Sequence, residues 1–251
     1  MSRVQSWLRL LQVISFKELK AIITRPLFYV VTSMYMLLSG WLFFNYLAAA
    51  KDMTTLSVET TVFRPLFGNM NFVFLFIIPL LTMRSFSEER KDKTLDLLLS
   101  SRLDKGHIIA GKFVSLFTIV AVFVGILAVY PLILSFSGFE NWSMVFSGLL
   151  GLLLTASCYI VAGLFFSSLT DNQIISALMS YVFLFFCMLL IFSAQSTTNI
   201  IVAQILQYLS FLFHFEQFAS GLIPSYSFVY YASFLGFFGY LTYYSLKQRE
   251  W

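Results

Sequence analysis

Residues Gly106-His107-Ile108-Ile109-Ala110-Gly111-Lys112-Phe113 match the first seven positions of the phosphate-cradling pattern G-x-x-x-x-G-K-[ST]. In such a loop the backbone N–H groups hold phosphates and the final hydroxyl reaches Mg²⁺. Here the last position is Phe113, no strand pattern precedes the run, and it leads straight into an apolar stretch. The chain itself is therefore expected to bind no nucleotide. Metal and nucleophile chemistry fare no better. His107 and His214 are the two histidines of the chain and fall far apart, so a two-histidine metal site is not expected. No Gly-x-Ser-x-Gly elbow occurs. Cys158 and Cys187 lie inside apolar runs without C-x-x-C spacing and read as packing residues, not disulfide or metal ligands.

The Gly106 run belongs to a larger polar island, Arg84 to Lys112, set between almost continuously apolar sequences. Glu88, Glu89, Arg90, Lys91, Asp92 and Lys93 supply mixed charge. Just after them, Leu95, Leu98, Leu99 and Leu103 share one helical face. A helix so built can press an apolar ridge into a partner's groove while its charges set the orientation. The lesser alternative is a helix folded back on the membrane surface of its own chain.

The elements around the island are membrane elements. The chain has 251 residues, 59% of them hydrophobic and 11% charged, with mean hydropathy +0.83. Soluble domains carry roughly a quarter charged residues. Apolar runs of about 18 residues or more cross roughly 30 Å of hydrocarbon as helix. The expectation is a single all-α polytopic membrane domain over residues 1–251, with six transmembrane helices at about Leu27–Leu47, Leu66–Met83, Phe113–Phe136, Trp142–Leu169, Gln173–Phe192 and Tyr226–Leu246. Pro79 is expected to kink the second, and Gly125 and Pro131 fall inside the third. In the fourth, Ser147, Gly151 and Thr155 stand four apart, the spacing that lets helices approach closely in lipid, or a chance run of small residues.

Residues 1–25 form the first of three non-spanning segments. From Ser6 to Thr24, Trp7, Leu11, Ile14, Leu19, Ile22 and Ile23 recur at helical spacing among Arg9, Lys17, Glu18 and Lys20. Arg25-Pro26 then disfavours continued helix. An amphipathic helix on the membrane surface fits this pattern, as does a basic flank that only orients the first span. The charges also leave no apolar core for a signal peptide. Residues 84–112 form the second segment, and 193–224 the third: short helices in, or dipping into, the opposite interface. There His214 and Glu216 are the conspicuous titratable groups, either structural or candidates for an outward substrate contact or gate.

Lys and Arg set the orientation. They gather before Arg25, in the island and at Lys247 and Arg249, whereas the intervening loops offer Lys51 and Arg64. Both termini and the island are therefore expected in the cytoplasm, with the chain multi-pass in the inner membrane. The net charge of +4 does not indicate nucleic acid, because no Lys or Arg lies between Phe113 and Leu246. The 30 Phe and 13 Tyr suit lipid-facing surfaces and interfacial belts.

The segment PLLTMRSFSEERKDKTLDLLLSSRLDKGHIIAGKF resembles the junction after the second span in permeases of type-2 ABC exporters, especially the short gliding-motility-like group. The marks are Arg-x-Phe-x-Glu-Glu, Thr-Leu-Asp-Leu-Leu-Leu and a Gly-Lys opening the third span. HFEQFASGLIPSYSFVYY is similar to the C-terminal signature of that family, and the amphipathic helix to its elbow helix. The resemblance implies a non-catalytic subunit that pairs with a second permease copy or paralogue and with cytoplasmic ABC ATPase subunits, which would hold the ATP and Mg²⁺. It assigns ATPase coupling to Glu88, Glu89, Arg90, Lys93, Thr94, Leu95, Leu98 and Leu99, and an elbow role to Lys17, Glu18, Lys20 and Arg25. The alternatives are a non-transporting membrane anchor of an ABC-type ATPase and an ion-coupled secondary transporter. The latter would want charged groups at mid-membrane, which the spans lack.

Overall fold

The structure is a computed structural model and describes residues 3–51, 59–94, 104–136 and 141–248. Every regular element among them is helical. In chain order these are α1 (Arg3–Ile23), α2 (Pro26–Lys51), a π-helical turn (Glu59–Phe63), α3 (Arg64–Thr82), α4 (Ser87–Lys91), α5 (Lys105–Leu127), α6 (Val129–Ser135), α7 (Trp142–Leu169), α8 (Gln173–Ser196), α9 (Ile200–Leu209), α10 (Phe211–Ala219) and α11 (Ser225–Lys247).

Five stretches are long and apolar enough to cross a membrane: Pro26–Ala50, Thr60–Lys91, Lys105–Ser135, Trp142–Leu169 and Gln173–Ser196. The sixth span expected from sequence coincides with α11, a 23-residue helix. It falls outside this set because Tyr226, Tyr230, Tyr231, Tyr240, Tyr243 and Tyr244, with Ser and Gly between them, dilute its apolar character.

Three local features follow from individual residues. Thr24 and Arg25 separate α1 from α2, as the Arg25-Pro26 step requires. The third span begins as helix at Lys105, eight residues before the expected Phe113, so the Gly106 to Lys112 run is helical and cannot form a phosphate loop. Its far end breaks at Ala128, three residues before Pro131, whose ring lacks the N–H that would continue the hydrogen-bond ladder.

Helix α7 is the hub, packed against α3, α5, α8, α10 and α11. Its small residues allow this. A Cβ on Gly163 would lie 2.2 Å from Thr82 Oγ1, and one on Gly151 would lie 2.5 Å from Phe218 Cβ. Helix α1 packs along α5. Peripheral α2 is tied in through Tyr35, whose ring stacks between Phe74 and Phe123 and whose hydroxyl donates to the Phe123 carbonyl at 2.7 Å.

Candidate functional site

One end of the bundle collects α1, α4, the start of α5 and the end of α7. Lys112, one turn into the apolar part of α5, is 2% exposed. Its Nζ donates to Glu89 Oε1 of α4 at 2.7 Å and to Glu18 Oε1 of α1 at 3.1 Å. It also lies 5.1 Å from the centroid of the Phe86 ring, a cation–π contact. A buried ammonium is tolerated only when paired and hydrogen-bonded. Here two carboxylates and an aromatic face meet that need.

A second pair runs beside the first. Arg25 Nη2, just after α1, meets Glu88 Oε2 at 2.6 Å. Arg84 and Glu89, whose Nε and Oε2 atoms are buried without a protein hydrogen-bond partner, line a cavity of about 60 Å³ together with Glu18, Arg25, Glu88 and Lys112. The junction therefore gathers three cations and three anions: Arg25 and Lys112 pair with Glu88 and with Glu18 and Glu89, and Arg84 lines the cavity between them. It is formally neutral, and it spans three segments distant in sequence.

Hydrogen bonds to α7 hold the turn that presents these glutamates. The backbone N–H groups of Phe86 and Ser87 donate to Ser167 Oγ at 3.0 and 3.2 Å, and that hydroxyl donates to the Met83 carbonyl at 3.1 Å. The Ser87 hydroxyl also donates to the Met83 carbonyl. Arg90 donates to the carbonyl of Leu169, the last residue of α7, where a cation complements the helix dipole. The chain leaves α4 through Lys93 in the left-handed region, φ 56°. The Thr94 N–H and hydroxyl both donate to the Glu89 carbonyl.

Of the elbow and coupling residues expected from sequence, Glu18, Arg25, Glu88 and Glu89 meet in this junction, and Arg90 caps α7. Lys17, Lys20, Lys93 and Thr94 are exposed beside it. Leu95, Leu98 and Leu99 lie outside the described residues. Sequence reasoning missed Lys112 and Arg84 as its cations. The available signal was a lysine at the edge of an apolar run, with unpaired glutamates in the adjoining island.

The opposite end is built differently. His214 in α10 is fully buried, with Nδ1 2.8 Å from Ser227 Oγ, Nε2 2.9 Å from the Tyr208 carbonyl, and its ring stacked 4.1 Å from that of Tyr230. Helix α10 lies outside the five apolar spans. Burial lowers the His214 pKa, and the Tyr208 carbonyl opposes that shift. Glu216, two residues on, is exposed, so the two groups do not form one site. Ser147, Gly151 and Thr155 face this end within the same chain. The Ser147 hydroxyl donates to the Leu222 carbonyl at 3.2 Å, Gly151 abuts Phe218, and the Thr155 hydroxyl lies 2.9 Å from that of Tyr231.

Among the described residues no three His, Cys, Asp or Glu groups gather to hold a metal. Residues 12–244 match the family described as ABC-2 family transporter protein. The chain belongs to that family. An ABC-2 member is the membrane component of an ABC transporter and is not itself catalytic, which makes this chain a multi-pass permease subunit. No curated protein matches it.

Proposed function

We propose that this ABC-2 permease works in an ATP-driven exporter, dimerises with a second copy or a paralogue, and is moved by a separate cytoplasmic ATPase that binds ATP and Mg²⁺. In this reading α11 is the sixth span, the charged end and both termini face the cytoplasm of an inner membrane, and α9 and α10 face outward. Helix α1 is the elbow, and the segment after α4 carries the coupling helix.

The observation that carries the proposal is the pairing of Lys112 with Glu18 and Glu89. A push on the segment leaving α4 at Thr94 reaches α1 and α5 through these charges and α7 through Ser167. Binding energy at one surface is thereby passed to several spans at once.

The test is a mild-detergent pull-down of tagged chain from its native host, with mass spectrometry of the recovered proteins. An ABC-type ATPase should co-purify with the wild type and be lost with Leu98→Asp, while the variant still inserts. Recovery of the chain alone or as a self-oligomer in several mild detergents would contradict the proposal. ATP turnover without export from reconstituted vesicles would favour the anchor.

A further inference from the structure

Helix α1 turns two different faces to its surroundings. Glu18 is its sole acidic residue and points inward to Lys112. The outward face therefore carries only positive charge, from Arg9, Lys17 and Lys20, and between these Val13 and Phe16 are 68% and 69% exposed. Exposed apolar residues interleaved with cations mark a helix lying at an anionic membrane surface.

Beside that face, α1 and α5 part to leave an apolar groove of about 800 Å³. Gln12, Phe16 and Leu19 line it from α1, and Val114 and Thr118 from α5, with Lys17 at its edge. At roughly 30 Å³ per water-sized group, the groove has room for an acyl chain of ordinary length. The groove runs next to a close contact of the two helices, at Gly111, where a Cβ would lie 2.5 Å from Ile14 Cγ2.

We propose that this groove binds an anionic glycerophospholipid of the surrounding leaflet, with one acyl chain between α1 and α5 and the phosphate held by Lys17 and Lys20. The charge of the α1 face selects this occupant. A second copy of the chain would have to match an all-positive stripe with an acidic surface, and a neutral lipid would leave the cations unanswered. Ser115 lines both this groove and the junction cavity, so occupancy of the groove bears on the spacing of α1 and α5 beside Lys112.

The experiment uses the full chain, purified in a nonionic detergent and titrated with dioleoyl phosphatidylglycerol or dioleoyl phosphatidylcholine, and counts retained lipids by native mass spectrometry. Wild-type protein should retain phosphatidylglycerol about tenfold better than phosphatidylcholine. Lys17→Gln with Lys20→Gln should abolish that preference, and Thr118→Phe, which fills the groove, should lower retention of both lipids. Gel filtration of each variant controls for folding. A photoreactive acyl phosphatidylglycerol gives a second readout and should label 11–19 and 114–118. Equal retention of the two lipids by the wild type, an undiminished preference in the double variant, labelling confined to other spans, or cross-linking of the groove to a second copy would each overturn the proposal.

Discussion

The two ends of the bundle hold their helices together by different physics. At the charged end, α1, α4 and α5 meet through ion pairs among Glu18, Arg25, Glu88, Glu89 and Lys112, with partly exposed carboxylates. At the other end, α7, α10 and α11 meet through stacked rings, buried His214 and close approach at Gly151. Charges can exchange partners, can be reached by water and salt, and can tolerate small shifts in distance. Interlocked rings and backbone contacts cannot, because close-packed interiors switch between discrete arrangements instead of deforming continuously. Under the proposed function, movement belongs to the charged end and stiffness to the other.

The largest expected effect tests the charged end. Lys112→Met leaves Glu18 and Glu89 facing each other and should destabilise the purified chain by about 3 kcal/mol, the lower part of the range for breaking a buried pair, because the carboxylates keep 22% and 26% of their side-chain surface exposed. Adding Glu18→Gln and Glu89→Gln should recover most of the loss in thermal unfolding. A Lys112→Met chain as stable as wild type would dissolve the distinction between the ends.

Next comes the stiff end. Gly151→Leu should cost about 1–3 kcal/mol by overpacking, since the obstacle is Phe218 Cβ, which cannot rotate away. That loss should be indifferent to added salt, whereas the loss on Glu88→Gln, which breaks the partly exposed Arg25 pair, should shrink. Ser167→Ala should cost about 1–2 kcal/mol by removing the acceptor of two backbone N–H groups, and it should speed proteolysis at 83–94 before the rest of the chain.

The smallest stability effect sharpens the comparison through pH. Burial disfavours protonated His214, so the unfolded chain binds the proton more readily than the folded one. Stability from this site is fully present above the ordinary value of 6.5 and should fall as pH drops below it. Thermal unfolding between pH 7.5 and 5 should show the loss in wild type, and His214→Gln should flatten it.

Much of the scaffold was legible from the residues. Apolar runs located α2, α3, α7 and α8, and 3.6-residue periodicity located α1. The apolar run alone starts the third span at Phe113, because Lys105, His107 and Lys112 look like loop. The helix nonetheless begins at Lys105, and the buried charge of Lys112 is met there by partners on other helices. Those partners lie 94 and 23 residues away, so no local spacing reveals them.

The Gly111-Lys112 pair illustrates the point. It imitates a nucleotide loop in sequence, yet Gly111 is where α1 comes closest and Lys112 is the buried cation that secures it. The four-residue spacing in α7 signalled close packing without naming α10 and α11 as the neighbours. The bounds of α11 were legible as Tyr226–Leu246, one residue short at each end, but not the roles of its tyrosines, which reach a backbone carbonyl and Thr155 inside the bundle.

Charge exchange at Arg25 and Glu88 tests the account most directly, with ATP turnover measured for the complex recovered from the native host. Arg25→Glu and Glu88→Arg should each lower permease-coupled ATP hydrolysis about two- to fivefold, the scale of a partly exposed pair, and the double variant should restore it. Double-variant turnover as low as that of the singles, or single variants matching wild type, would contradict the claim that this junction carries the ATPase stroke into the spans.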